Sequence, residues 1–155
     1  MLTGGIAPVA ELNTLRYGRS DNLSDVCPYS CEVNLTADFF KAGKLGVRVC
    51  LNENEFAEVY YDAENGVIVF DSSTTADKYD TGKLEHAPFK LKDGEAFNLT
   101  VYVDRSMVEV FANDRQAVTR RIFANGKNEP KLEVINTTST TPKLTAWNMM
   151  ETNPY

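Results

Sequence analysis

The chain has 155 residues, 43% hydrophobic and 25% charged, the composition of a folded protein with a single core rather than of a disordered one. Its 16 Lys and Arg against 22 Asp and Glu leave a formal charge of −6, which argues against a nucleic-acid partner, because that class needs a basic face. Apolar runs are as short as residues 67–70, too short to cross a bilayer, so no membrane partner is expected, and no basic leader with an apolar core opens the chain.

Residues 1–25 lack a clean period and read as an irregular arm or linker, within which residues 8–16 are amphipathic enough to lie across a surface. From residue 26 to 155 the alternation has period two, the mark of half-buried strands. Glu32-Val33-Asn34-Leu35-Thr36 alternates, as does Leu45-Gly46-Val47-Arg48-Val49, and between them residues 36–41 have room for one helical turn before Gly43. Residues 57–61 and 67–70 form a hairpin across Asp62-Ala63-Glu64-Asn65-Gly66, where Asn-Gly supplies the positive φ of a tight turn. The clearest block follows: strands at 99–103, 107–111 and 116–123, with turns at 104–106 and 112–115. Residues 131–136 and 143–149 complete the set, separated by the polar loop at 137–142. Short strands at this spacing predict an all-β, antiparallel two-sheet β-sandwich with an irregular N-terminal arm.

Little in the chain suits catalysis. The single histidine, His86, precedes Ala87-Pro88 in an extended stretch, so a Ser or Cys nucleophile lacks a nearby base. No Gly-x-Ser-x-Gly elbow, phosphate-binding glycine loop or histidine zinc motif occurs. Cys27, Cys31 and Cys50 leave one thiol over from any pairing and have only His86 to complete a zinc set, so they are expected as small apolar filler, with no metal and no cofactor. Sequons at Asn22, Asn34, Asn98 and Asn136 point towards an exported parent protein rather than a cytoplasmic one, although about two are expected by chance.

Among the carboxylates, Asp104 at a turn and Glu109 in the next strand stand out, Glu109 sharing a face with Met107 and Phe111. One reading makes Glu109 a member of an exposed cross-strand ion pair with Arg105, Arg120 or Arg121. The other makes carboxylate and guanidinium together grip neighbouring hydroxyls of a sugar, matching its donors and acceptors at once. Tyr102 faces away from Val101 and Val103; Tyr60 and Tyr61 are adjacent, so one of them points outward; Trp147 is expected in the core rather than at a rim.

The string Val101-Tyr102-Val103-Asp104-Arg105-Ser106-Met107-Val108-Glu109-Val110-Phe111-Ala112-Asn113-Asp114, with Ala117-Val118-Thr119 and Arg121-Ile122-Phe123 after it, resembles the C-terminal β-sandwich of glycoside hydrolase family 32. Residues 8–16 are similar to that family's connection between propeller and sandwich. Tyr60-Tyr61-Asp62 through Val69-Phe70-Asp71 is similar to its central hairpin, with Ser72 where the family often has Arg, and Leu144-Thr145-Ala146-Trp147 to its closing strand. The resemblance implies a jelly-roll or lectin-like sandwich. It also implies a partner, the N-terminal five-bladed catalytic propeller of the same parent chain, which carries the nucleophile, stabilising and acid/base carboxylates. The three motifs that hold those groups are absent from these residues, so no catalytic residue is assigned and the chain is expected to support a β-fructosidase acting on sucrose, inulin or levan. A similarity to family 66 carbohydrate-binding modules implies the alternative, a fructose- or fructan-binding module. In it Asp104, Arg105, Glu109 and Arg121 hold hydroxyls, with Tyr61 or Tyr102 as a ring platform.

Overall fold

The computed structural model describes residues 15–75 and 83–150. In chain order it has β1 (Arg16–Ser20), a single 3-10 turn (Leu23–Asp25), β2 (Ser30–Ala37), β3 (Lys44–Cys50), β4 (Phe56–Asp62), β5 (Val67–Asp71) and β6 (Leu84–Pro88). Then follow β7 (Phe97–Asp104), β8 (Met107–Ala112), β9 (Gln116–Arg121), β10 (Lys131–Asn136) and β11 (Lys143–Met149). The strands form two antiparallel sheets, one in the order β1-β11-β2-β7-β8-β9 and the other β10-β3-β4-β5-β6.

The period-two pattern sets the layers. Val33 and Leu35 on β2, Leu99 and Val101 on β7, Val108 and Val110 on β8 turn inward to meet Leu45 and Val47 on β3, Val59 and Tyr61 on β4, and Ile68 and Phe70 on β5. At one end of this core the rings of Phe40, Tyr61, Phe89 and Phe97 pack edge-on or tilted, with centroids 5.1–6.2 Å apart. The β4–β5 hairpin closes as expected: Asp62 accepts hydrogen bonds from Asn65, and Gly66 has φ 62°. Along the β6/β9 side the two sheets are tied by an Arg120–Glu85 ion pair of 2.5 Å and by the Gln116 amide donating to the Pro88 carbonyl at 2.7 Å.

Four expectations need correction. The arm is irregular only in part, because Arg16–Ser20 is an edge strand paired with β11; residues 1–14 lie outside the described residues. Residues 36–41 contain no helical turn: β2 continues through Ala37, because Ala37 still pairs with Phe97. A strand that alternation did not announce, β6, pairs with β5. Trp147 is not a core residue. It stands half-buried on the outer face of the six-stranded sheet, while Ala146 fills the inner position. Of the cysteines, all three free, Cys31 fills the core, where burial pushes its thiol up to about 12, Cys50 is buried outside the core cluster near Glu133 and Arg48, and Cys27 is half-buried.

Candidate functional site

Register brings four of the selected residues onto one surface. Trp147 lies opposite Glu32, Glu32 opposite Tyr102, Tyr102 opposite Glu109, and Glu109 opposite Thr119, a single row across β11, β2, β7, β8 and β9 on the outer face of the six-stranded sheet. The neighbouring row runs Ser30, Asp104, Met107, Arg121. Asp104 and Arg121 thus flank β8 with their Cα atoms about 10 Å apart, and no hydrogen bond or ion pair joins them.

The row is well organised at one end. The Arg16 guanidinium sits 4.4 Å from the Trp147 ring centroid and donates to Glu32 at 3.1 Å. Glu32 is only 7% exposed although it faces outward, so the arginine compensates a carboxylate that its neighbours have largely desolvated. Tyr102 packs edge-on to Phe111 at 5.9 Å, and partial burial, together with the nearby Glu32 carboxylate, raises its hydroxyl above the usual phenol range. At the other end, Glu109 is half-buried and makes no hydrogen bond or ion pair to another described residue. The cross-strand ion pair therefore does not form, since Arg120 turns inward to Glu85 and Arg121 lies on the next row.

The remaining two selected residues are elsewhere. Tyr61 points into the core at 2% exposure, and its hydroxyl accepts from the Leu91 N–H at 3.3 Å, so its ring offers no platform; the outward member of the pair is Tyr60. Arg105 occupies the two-residue β7–β8 turn in the left-handed region, φ 55°, where its N–H donates to the Tyr29 carbonyl at 2.7 Å. From there it lines a cleft of about 770 Å³ at the end of the sandwich, which sequence reasoning missed. Segments around residues 29, 51, 105 and 122–130 build that cleft, and no local motif announces so dispersed a set.

The motif's last part is structural. Asn113 and Asp114 both take left-handed backbone, φ 47° and 53°. The Asn113 amide donates to Glu95 and to the Ala96 carbonyl at 2.9 Å each, and its oxygen accepts from the Asn98 N–H at 2.7 Å. Arg115 grips the Glu95 carboxylate with both ends of its guanidinium, reaches the Lys90 carbonyl at 2.7 Å and lies 4.7 Å from the Phe89 ring. Arg115, the Lys92 N–H and Asn113 together lower the Glu95 carboxyl to about 2. Among the described residues no group of three His, Cys, Asp or Glu is placed to hold a metal ion.

The class these elements define is a two-sheet antiparallel β-sandwich whose six-stranded sheet carries aromatic, carboxylate and guanidinium groups on its outer face. The family description "Glycosyl hydrolases family 32 C terminal" matches residues 11–148, and the chain belongs to that family. It is 33% identical over 147 residues to a levanase of Bacillus subtilis (strain 168), covering 82% of this chain and 21% of that protein. Among solved structures it is similar to the sucrose-6-phosphate hydrolase from Lactobacillus gasseri, at 22% identity and TM-score 0.67 over 90% of this chain and 29% of that one. It is also similar to the fructan 1-exohydrolase IIa (E201Q) from Cichorium intybus in complex with 1-kestose, at 15% identity and TM-score 0.73 over 92% and 37%. The chain thus spans about a fifth to little more than a third of the length of these proteins.

Proposed function

We propose that this domain is the non-catalytic C-terminal part of a glycoside hydrolase acting on β-fructosides such as sucrose, inulin or levan, and that it packs against and supports an N-terminal catalytic propeller. The observation that carries this is the family match along residues 11–148, set beside a levanase of whose length this chain covers 21%. Glycosidic cleavage needs a carboxylate pair placed about a sugar ring, and on this reading that pair belongs to the propeller while the sandwich contributes through contact.

The outer face of the six-stranded sheet suits that contact. Trp147, Tyr102, Phe111, Met107 and Arg16 are the residue types enriched at protein interfaces, and here they lie on one sheet, on the β1/β11 and β7/β8 strand pairs to either side of β2. On this reading Asp104, Tyr102, Glu109 and Arg121 meet the partner module rather than bulk solvent, and Glu109 finds there the partner that the sandwich does not provide. The test uses the parent enzyme's propeller expressed separately and mixed with the 155-residue chain. Association and a raised propeller unfolding temperature are expected, both diminished in Glu109→Gln and Tyr102→Phe, while the chain alone releases no fructose from sucrose, inulin or levan. Fructose release by the purified chain, or a propeller whose stability ignores it, rejects the proposal.

A further inference from the structure

The chain holds two Asn-Gly pairs, Asn65-Gly66 and Asn125-Gly126. Such a pair carries a reaction of its own. Glycine has no Cβ to shield its backbone nitrogen or to restrict the backbone, so that nitrogen can reach the Cγ of the asparagine before it. The two pairs share this chemistry, and the fold treats them differently.

Asn65-Gly66 is locked. The Gly66 N–H donates to the Asp62 carbonyl at 2.9 Å, the Asn65 amide donates to the Asp62 carboxylate at 2.8 Å, and the Gly66 carbonyl accepts from the Phe89 N–H at 3.0 Å. Gly66 is held at φ 62° in a hairpin whose strands pair right up to Asp62 and Val67. Freeing its nitrogen means opening that hairpin. Asn125-Gly126 is exposed on the loop after β9, where residues 124–128 make no backbone–backbone hydrogen bond to another described residue. One side chain holds the pair instead. The Glu55 carboxylate accepts from the Asn125 N–H at 2.8 and 3.0 Å and from the Gly126 N–H at 3.1 Å, while the Asn52 amide donates to it at 2.7 Å. These donors, the Asn125 N–H first, keep the Glu55 carboxyl below its usual range. The attacking nitrogen is thus engaged by a single carboxylate and is freed whenever that contact opens, with no strand having to separate.

We propose that Asn125 is a site of spontaneous deamidation through a cyclic imide with Gly126, gated by the Glu55 clamp, and that its conversion to aspartate or isoaspartate releases the loop after β9. The Gly126 nitrogen bonds to Asn125 Cγ, the bond from Cγ to the amide nitrogen breaks, and ammonia leaves with the proton that Gly126 gives up. Water then opens the imide at either carbonyl. The reaction needs no oxidant, metal or partner module. Its product re-forms the clamp poorly. The new carboxylate enters a depression lined by Glu53, Glu55 and Glu129, where Lys127 is already paired with Glu129 at 3.0 Å. In isoaspartate the main chain also gains a methylene, so the two N–H groups no longer face one carboxylate together.

The experiment ages the 155-residue chain at neutral pH and physiological temperature. Both pairs are followed by mass spectrometry of tryptic peptides, and isoaspartate is scored by enzymatic methylation. Asn125 is expected to convert at least about tenfold faster than Asn65, since a side-chain contact opens more readily than a hairpin. Glu55→Gln, which replaces a charged acceptor by a neutral one, speeds conversion of Asn125 about fivefold and leaves Asn65 unchanged. A Cβ on Gly126 would meet Asn52 Nδ2 at 3.4 Å and Glu55 Oε2 at 3.7 Å, ordinary contacts, so Gly126→Ala keeps the clamp and the urea midpoint while slowing conversion. Aged wild type exchanges the amides of residues 125 and 126 faster and is cut by trypsin after Lys127 in the native state, whereas aged Gly126→Ala is not. Conversion of Asn65 as fast as Asn125, or an equal or slower rate at Asn125 in Glu55→Gln, overturns the proposal. Conversion that leaves exchange and cleavage in the loop unaltered overturns it as well. Where Glu55→Gln fails to fold, the comparison of wild type with Gly126→Ala decides alone.

Discussion

Replacing Asn113 by Ala tests whether the family motif is scaffolding. The side chain makes three hydrogen bonds, to Glu95, to the Ala96 carbonyl and from the Asn98 N–H, all in partly solvated surroundings. At about 0.5–1 kcal/mol each, their loss costs about 1.5–3 kcal/mol. Asn113 also has φ 47°, and placing Ala there adds about 1 kcal/mol of left-handed strain. The sum for Asn113→Ala is about 2.5–4 kcal/mol, a large fraction of the stability of a domain this size. Asn113→Gly loses the same bonds without the strain and is expected to cost about 1 kcal/mol less than Ala. Urea unfolding followed by Trp147 fluorescence and by far-ultraviolet circular dichroism measures both, provided the two probes coincide. A loss below about 1 kcal/mol for Asn113→Ala refutes the structural account, because the bonds would then contribute nothing. Equal losses for Ala and Gly would refute the strain component alone.

Two further predictions concern acid and glycine. The folded-state carboxyl of Glu95 titrates near 2, below its ordinary value, so its pairing with Arg115 stabilises the fold above about pH 4.5 and is lost as pH falls towards 2. The stability gap between wild type and Glu95→Gln should therefore narrow steadily between pH 5 and pH 2.5 in urea titrations, and a constant gap contradicts the assignment. At Gly46 on β3, a Cβ would stand 1.9 Å from the Val59 carbonyl oxygen and 2.5 Å from the Tyr60 Cα, backbone atoms that cannot swing aside. Gly46→Val should cost more than about 3 kcal/mol. Gly94→Ala, which meets nothing within 4 Å and has only its φ of 76° to accommodate, should cost about 1 kcal/mol, both variants being measured by urea unfolding.

The central strands were legible because each buries one face, so alternation writes the layer into the sequence: Val101, Val103, Val108 and Val110 all turn inward as read. Edge strands escape this logic. In β1 the three central residues are exposed and Gly18, at φ 64°, sits within a shift of register, so no alternation survives. In β6 only one residue is buried and Pro88 closes the strand. Parity likewise said that one of Tyr60 and Tyr61 points outward, but the choice was made by the ring cluster around Phe97, three segments away in sequence. Trp147 was misplaced for the converse reason: a large ring was expected inside, and Arg16, from what looked like an arm, stacks on it outside. Of the candidate site, the shared face of Tyr102, Glu109, Asp104 and Arg121 follows from alternation and register. The cleft does not, since its walls meet only after both sheets close.

The signature run of residues 101–115 is divided by the fold among three duties. Its valines fill the core, Arg105 and Ser106 tie the β7–β8 turn to the start of β2 and the end of β9, and Asn113 and Arg115 bind the segment around Glu95 to the sheet. Each of those roles is satisfied within the sandwich. Glu109 is the exception, a half-buried carboxylate on a strand centre with no partner among the described residues. A half-buried carboxylate without a local partner is a group that a basic side chain of a docked module could pair. Docking, carried by the family match, therefore has its sharpest test at this one side chain: if Glu109→Gln leaves association with the propeller unchanged, the outer face is not where the two modules meet.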